Sequence, residues 1–173
     1  LAVNGEIYNH RTLEGALRKP YAFQSGSDCE VINALYAESK ARDGGDIGAW
    51  LDRLNGIFAF ALWDRAAGRF VIARDPIGVC PLYWGHDADG RLWVASEMKS
   101  LVRVCDDVAA FPPGHAYDSA TGELVRWYKR AWRDYDAVQG VAADKAELRE
   151  AFERAVHRQL MSDVPYGVLL SGG

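Results

Sequence analysis

The clearest apolar run of the sequence extends from Gly56 to Trp63. Both of its alternating sets of side chains are apolar, which is typical of a strand that is covered on both faces. A Gly-containing turn over residues 64–69 and a second apolar run, Phe70–Ala73, follow it and predict an antiparallel hairpin. Similar patterns predict a hairpin of residues 82–84 with 92–95 and another of 115–117 with 124–127. We therefore predict an α+β domain in which helices cover antiparallel sheets.

Apolar residues at helical spacing precede these strands. One predicted helix follows Asn9 and another follows Asp28, each with the named residue as its N-cap, and the second helix is expected to end at Gly44-Gly45. Shorter patterns predict a strand over residues 1–3, a turn at Asn4-Gly5, a strand over 21–23, a helix over 50–54 and a helix capped by Ser96.

The pattern changes after residue 128. Residues 129–142 lack periodicity, and Asp144 then has the spacing of a helix cap. An amphipathic stripe follows, formed by Leu148, Ala151, Phe152, Ala155, Val156 and Leu160. Residues 166–170 predict a buried strand that ends at Ser171-Gly172-Gly173. A helix beside such a strand is typical of a parallel α/β architecture, so we predict the beginning of a second domain.

Composition places the sequence among ordinary globular proteins. Its 173 residues are 49% hydrophobic and 25% charged, with a net charge of −4, which gives no reason to expect nucleic-acid or membrane-surface binding. No apolar run reaches the ~20 residues that span a bilayer, and residues 1–5 do not resemble a secretory signal. There is no initiating Met, so we expect the sequence to start inside a longer one. The three cysteines, Cys29, Cys80 and Cys105, form no CxxC pair and favour a reducing compartment, the cytosol.

Two segments of the first domain have two interpretations each. Asn4-Gly5 is a strong local signal for a tight turn, but an Asn carboxamide beside a glycine N–H also suits an oxyanion hole. Asp28 suits a helix N-cap, but its carboxylate also suits a substrate ammonium group. The Arg74–Gly78 segment is interpreted as scaffold, a tight loop held by an Arg–Asp pair.

The end of the sequence also has two interpretations. An apolar run followed by Ser171-Gly172-Gly173 is either a plain exit from a strand or a loop whose backbone N–H groups bind phosphate. The four histidines have no metal-ligand spacing, and no nucleophile has a paired base. Residue types alone therefore name no reaction.

Taken together, the motifs resemble those of the glutamine-hydrolysing asparagine synthetases of the bacterial type. The matching stretches follow the family's order: NGEIYNH (4–10), GSDCEV (26–31), LNGIFAFALW (54–63), RDPIG (74–78), PLY (81–83), ASEMK (95–99), FPPG (111–114) and LMSDVPYGVLLSGG (160–173). The first motifs are shared by class II amidotransferases, and the last is more specific because it joins that domain to a pyrophosphate-loop ATPase.

For residues 1–128 the resemblance implies an incomplete Ntn-type αββα sandwich, a glutaminase that releases ammonia from glutamine. Asn4 and Gly5 match the family's oxyanion hole, and both also match glutamine-binding positions. Glu6 and Asp28 match residues that hold the amino-acid end of glutamine. Residues 129–142 would be a linker.

For residues 143–173 the resemblance implies the first helix and strand of an ATP-binding synthetase domain. Leu170 matches a position in the nucleotide site, and Ser171, Gly172 and Gly173 match the start of the pyrophosphate loop. ATP and Mg²⁺ would activate aspartate as β-aspartyl-AMP, which ammonia converts to asparagine. The resemblance also implies a cytoplasmic enzyme and a homodimer, with no metal-ligating residue in this segment.

The family's nucleophile, a cysteine at the mature amino terminus, has no match in the sequence, since Leu1 cannot replace it and Cys29 lies in a predicted helix. The segment alone is therefore expected to be inactive. Two alternatives to asparagine synthesis stay open: a related two-domain amidotransferase or cyclase that acts on another carboxylate, and a degenerate, non-catalytic amidotransferase module.

Overall fold

The computed structural model describes residues 1–42 and 46–172. The chain divides into two compact units, Leu1–Arg130 and Ala131–Gly173. Gly44-Gly45, predicted to end a helix, and Gly173 of the predicted phosphate loop lie outside the described residues. No helix within the described ranges is long and apolar enough to cross a membrane.

Within its described residues, the first unit contains eight strands and three α-helices. The strands are β1 (Ala2–Ile7), β2 (Gly56–Asp64), β3 (Arg69–Arg74), β4 (Tyr83–His86), β5 (Leu92–Ala95), β6 (Asp107–Ala110), β7 (His115–Asp118) and β8 (Glu123–Arg126). The helices are α1 (His10–Gly15), α2 (Val31–Arg42) and α3 (Ile47–Leu51), with 3₁₀ turns at Asp28–Glu30 and Met98–Ser100. The predicted strand–turn–strand segments all form hairpins here.

The strands form two antiparallel sheets, one in the order β1-β2-β3-β7-β8 and one in the order β5-β4-β6. Strand β2 is covered on both faces, as its apolar pattern predicts. Phe58, Phe60 and Leu62 belong to the core formed with the helices. Ala59, with Ile57 and Ala61 beside it, belongs to a second core between the sheets. The described part of this unit thus has three layers: helices, a five-stranded sheet and a three-stranded sheet.

Helix α2 illustrates how the sequence pattern produces the helical layer. Val31, Ile32, Leu35 and Tyr36 recur at helical spacing and are all buried in the core. Trp50 of α3 packs at 6.0 Å from the ring of Phe60, which links the helices to the centre of the sheet. Burial of large aromatic side chains is the dominant stabilising contribution of such an interface.

Two local predictions are wrong, and one strand has no counterpart among the predictions. Residues 21–23 do not form a strand, because Phe23 N–H donates to Tyr21 O in a tight turn and their rings pack edge to face at 4.9 Å. Ser96 caps no helix, since Glu97 precedes a single 3₁₀ turn. Strand β6, which the sequence pattern did not predict, is short and mostly exposed, and it forms by pairing with β4.

The second unit contains a 3₁₀ turn (Ala131–Arg133), α4 (Tyr135–Val138) and α5 (Lys145–Arg158). The predicted cap of α5 is confirmed, because the Asp144 carboxylate accepts the N–H groups of Ala146 and Glu147. The strand predicted at 166–170 is absent from the described residues, where Leu169 and Leu170 are exposed and unpaired. A strand needs a neighbour for its backbone groups, and no described residue of this unit supplies one.

Candidate functional site

Asn4 and Gly5 lie in the middle of β1, so the predicted turn at this position is wrong. The strand continues to Ile7, with Asn4 opposite Ala59 and Gly5 opposite Phe58. Pairing with the buried strand β2 overrides the local turn tendency of Asn-Gly, as tertiary context commonly does. The second interpretation, an oxyanion hole, is compatible with this position.

Gly5 has a backbone conformation that favours glycine. Its φ of 141° lies on the positive side of the allowed map, and a Cβ built on it would lie 2.1 Å from Ile57 O and 2.7 Å from Phe58 Cα. A regular antiparallel strand has φ near −140°. The positive φ of Gly5 therefore differs from that of a regular strand, and the close approach of β2 leaves no room for a side chain there.

The Asn4 side chain emerges on the opposite face from the helices. Its cross-strand partner Ala59 belongs to the core between the sheets, and paired residues point to the same face. Asn4 lines a cavity of about 210 Å³ together with Ala2, Val3, Ala59, Phe60, Ala61, Pro81, Leu82, Val94, Ala95 and Ser96. Within the described residues its carboxamide makes no hydrogen bond to protein, so its donors are available to a ligand.

Asp28 is not a helix cap. Ser27 takes that position, and its hydroxyl accepts the N–H of Cys29. The Asp28 carboxylate instead accepts the N–H of Ile7 at 2.6 Å, across 21 residues of sequence. Because a carboxylate has about four acceptor positions, one such bond leaves Asp28 able to accept a ligand's N–H groups as well.

Cys29 joins the same cluster through its thiol, which donates to Gly5 O at 3.4 Å. Burial, assisted by the negative charge of Asp28, raises the pKa of this thiol to about 12. Burial also raises the pKa values of Cys80 and Cys105. A nucleophilic cysteine needs a lowered pKa, so none of the three is an activated nucleophile.

Glu6 is exposed and lies on the same face of β1 as Asn4. Burial raises the pKa of the neighbouring Tyr8, and the charges of Glu6 and Asp75 raise it further. Glu6 therefore lies within electrostatic range of the loop that begins at Arg74. The structure thus brings Asn4, Gly5, Glu6 and Asp28 together around β1.

The loop after β3 is held by side-chain hydrogen bonds and lies beside the cluster of Asn4, Gly5, Glu6 and Asp28. Arg74 donates to the carbonyl oxygens of Gly78, Cys80 and Phe111 at 2.7–2.8 Å. Asp75 accepts the N–H groups of residues 77–80. Both side chains bind loop backbone, so the scaffold interpretation fits, although the described contacts contain no Arg74–Asp75 pair. The loop leads to Pro81 and Leu82 in the Asn4 cavity.

Asn9 has a contact that sequence analysis missed. It occupies the N-cap position of α1, but its side chain makes no capping bond. Its amide donates to Arg53 O at 2.9 Å, and its carbonyl accepts Asn55 N–H at 3.0 Å. These partners lie more than forty residues away, so no local signal could have identified them.

The residues predicted to bind ATP are in the second unit. Leu170 is 91% exposed, and Ser171 and Gly172 are exposed as well. Gly172 has φ of 68°, and nothing lies within 4 Å of where its Cβ would be. The backbone N–H groups of this segment are therefore accessible to an anionic group. Gly173 lies outside the described residues.

Comparison with known families gives two matches along the chain. Residues 1–103 match a family described as glutamine amidotransferase domain, and residues 147–173 match one described as asparagine synthase. The chain is 53% identical to asparagine synthetase B [glutamine-hydrolyzing] of Escherichia coli (strain K12), over 100% of this chain and 30% of that protein. It is 49% identical to the asparagine synthetase [glutamine-hydrolyzing] of Zea mays, over 100% of this chain and 28% of that protein. The chain therefore spans less than a third of the length of these curated relatives.

Solved structures give the same fold for the first unit. The glutamine phosphoribosylpyrophosphate amidotransferase of B. subtilis, in complex with ADP and GMP, has a TM-score of 0.60 and 27% identity. The similarity covers 75% of this chain and 29% of that one. The predicted α+β class and the Ntn-type amidotransferase fold are confirmed.

Proposed function

The chain belongs to the glutamine amidotransferase family, and on that premise we propose that its protein synthesises asparagine from aspartate, with ammonia released from glutamine. The observation that carries the proposal is the match to an asparagine synthase family at residues 147–173, after the amidotransferase match. An amidotransferase with a phosphoribosyl or sugar-phosphate acceptor would share the first unit, but it would not continue with the VPYGVLLSGG segment.

In the first unit we assign Asn4 and Gly5 to an oxyanion hole. Water-dependent cleavage of the glutamine side-chain amide passes through a tetrahedral intermediate whose oxygen carries negative charge. The Asn4 carboxamide, which makes no protein hydrogen bond within the described residues, and the Gly5 N–H are donors on neighbouring residues of β1, whose backbone is paired with β2. Donors held in place before the charge develops need no reorganisation during the reaction.

Glu6 and Asp28 are assigned to the amino-acid end of glutamine. Both are carboxylates near β1, and a substrate ammonium group is a donor that matches them. Cys29, Cys80 and Cys105 receive no catalytic assignment, because each has a raised pKa. The 173 residues by themselves are expected to show no glutaminase activity.

In the second unit Leu170 is assigned to the nucleotide site, and Ser171, Gly172 and Gly173 to the pyrophosphate loop. The accessible backbone at Ser171 and Gly172 fits such a loop. The synthetase reaction converts aspartate and ATP to β-aspartyl-AMP and pyrophosphate, and ammonia then displaces AMP to form asparagine. Mg²⁺ would accompany ATP. The described residues hold no cluster of three or more His, Cys, Asp or Glu that could bind a metal, so we assign no ligand to it.

The test uses the full-length protein with ATP, Mg²⁺, aspartate and glutamine, followed by measurement of AMP and asparagine. Aspartate-dependent AMP release with asparagine formation is the expected result. Glutamine hydrolysis without aspartate-dependent AMP would transfer the synthetase role to another carboxylate. Absence of both activities would favour a non-catalytic module.

We also propose a cytoplasmic location and a homodimer, both on the resemblance to the family alone. Sedimentation velocity of the full-length protein tests the dimer, since a monomer at micromolar concentration would contradict it. Fractionation of cells that express it tests the location.

A further inference from the structure

Glu30 is a buried carboxylate beside the glutamine cluster that the proposed function leaves without a role. It ends the 3₁₀ turn that begins at Asp28, and only 8% of its surface is exposed. A carboxylate is almost never buried unless its oxygens are paired. Its partners therefore show what it stabilises.

All partners of Glu30 come from the loop just before Asp28. One carboxylate oxygen accepts the N–H of Gln24 at 2.7 Å. The other accepts the N–H of Ser25 at 2.7 Å and the hydroxyl of Ser25 at 2.6 Å. The Ser25 hydroxyl in turn accepts the N–H of Ser27 at 3.3 Å. These hydrogen bonds thus hold the Gln24–Ser27 loop around the Glu30 carboxylate.

Two of the contacts to Glu30 are backbone N–H donors and the third is the Ser25 hydroxyl, so the ionised carboxylate can accept all three hydrogen bonds. Hydrogen bonds from the Ser25 hydroxyl and the Gln24 N–H lower the pKa of Glu30, which keeps it ionised at neutral pH. A glutamine side chain has the same shape but only one oxygen. Its amide group would face an N–H donor and repel it.

We propose that Glu30 is a positioning residue that holds the Gln24–Ser27 loop so that Asp28 meets the amine of glutamine. Asp28 lies in the sequence between the Gln24–Ser27 loop and Glu30, and its own carboxylate accepts the N–H of Ile7 in β1. If the Gln24–Ser27 loop is released, Asp28 is no longer held from the side of the loop, while every group proposed to contact glutamine is still present. This inference rests on the proposed glutaminase function.

The test compares Glu30→Gln with Glu38→Gln in the full-length protein. Glu38 of α2 is the control, because it also accepts a backbone N–H, from Arg18 at 2.8 Å, while its other partner is the Arg53 guanidinium at 2.7 Å, and both partners lie outside the Gln24–Ser27 loop. We expect Glu30→Gln to raise the KM for glutamine about tenfold, the loss expected when a charge-assisted contact is broken. The glutaminase kcat and the ammonia-dependent synthesis are expected to stay within about twofold of wild type.

If Glu30→Gln acted only by disturbing the fold, it would lower all activities together, and Glu38→Gln would lower them in the same way. If Glu30→Gln leaves the KM unchanged, or changes it no more than Glu38→Gln does, the inference is overturned while the proposed function stands. A wild-type protein that does not hydrolyse glutamine would overturn both. If Glu30→Gln does not fold, Ser25→Ala removes only the hydroxyl that donates to Glu30 and accepts the Ser27 N–H, and it should raise the KM about threefold. An unchanged KM in that variant would overturn the inference.

Discussion

Gly5 and Gly172 are both glycines with positive φ, 141° and 68°, and both are assigned to present backbone N–H groups to negative charge. Their surroundings differ. A Cβ on Gly5 would lie 2.1 Å from a backbone oxygen of β2, whereas nothing lies within 4 Å of the corresponding point on Gly172. A side chain at Gly5 is therefore excluded by β2, whereas the described residues leave space for one at Gly172.

The two glycines show how each proposed site acquires the backbone geometry that it needs to bind its ligand. The donors at β1 are fixed by sheet pairing, and the carboxylate of Asp28 adds a second attachment to the same strand. Such a site binds without an ordering cost. The described residues of the second unit give Ser171 and Gly172 no comparable support.

Substitution of each glycine by alanine is expected to lower the free energy of unfolding by different amounts, and the loss at Gly5 should be the greatest of the changes predicted here. Gly5→Ala should lower the free energy of unfolding by about 3 kcal/mol, because the methyl group overlaps β2 and the backbone is strained. Gly172→Ala should cost about 1 kcal/mol or less, since space is open there. Urea unfolding of the full-length protein measures both. Equal midpoints for the two variants would show that packing does not hold Gly5.

Asn4→Ala should lower the glutaminase kcat by about 10²–10³, the usual loss for one oxyanion donor. The side chain is exposed and makes no protein hydrogen bond in the described residues, so the fold should be unaffected. Steady-state kinetics with glutamine measure the loss, and synthesis from ammonia is the control. Unchanged glutamine turnover would remove Asn4 from the oxyanion hole.

Asp28→Asn should raise the KM for glutamine about tenfold, because the amide loses the charge that attracts the substrate ammonium. Its remaining oxygen can still accept Ile7 N–H, so ammonia-dependent synthesis should persist. Loss of both activities would instead assign Asp28 a purely structural role on β1. The two activities are measured in parallel on one preparation.

The smallest effect concerns the Cys29 thiol, whose folded pKa of about 12 lies above the ordinary value near 8.5. The folded state therefore keeps a proton that the unfolded state releases at high pH. Its contribution to stability is complete below about pH 8.5 and is lost as the pH rises toward 12. Cys29→Ala should show a shallower decline of the urea midpoint between pH 8 and 11. Identical slopes would contradict the assigned burial of the thiol.

The sequence pattern predicted the elements that are stabilised locally or by a continuous apolar face. Strand β2 and helix α2 are of this kind, and so is the Asp144 cap of α5. It failed where a distant partner decides the outcome. Asn4-Gly5 was expected to turn because the pairing with β2 is not visible locally, and β6 forms only because β4 lies beside it.

The site follows the same division. The residue types at Asn4, Gly5, Glu6 and Asp28 were identified by resemblance to a family, but the bond between Asp28 and Ile7 joins segments 21 residues apart. Nothing in the sequence shows whether the Asp28 carboxylate binds the N–H of a distant residue or caps a helix. Glu30 lies in the GSDCEV motif, but the motif does not show its role, which we propose from three donors that the fold brings to it.

The bridge from Asn9 to Arg53 and Asn55 has a consequence for register. Tyr8 N–H also donates to Asn55 O, so the contacts between the two segments continue beyond the last paired residue of β1. A slip of β1 by one residue would exchange its two faces and turn the Asn4 side chain from the space between the sheets toward the helices. The side-chain hydrogen bonds of Asn9 add to the cost of that slip, and so they help to keep the Asn4 side chain on the face between the sheets.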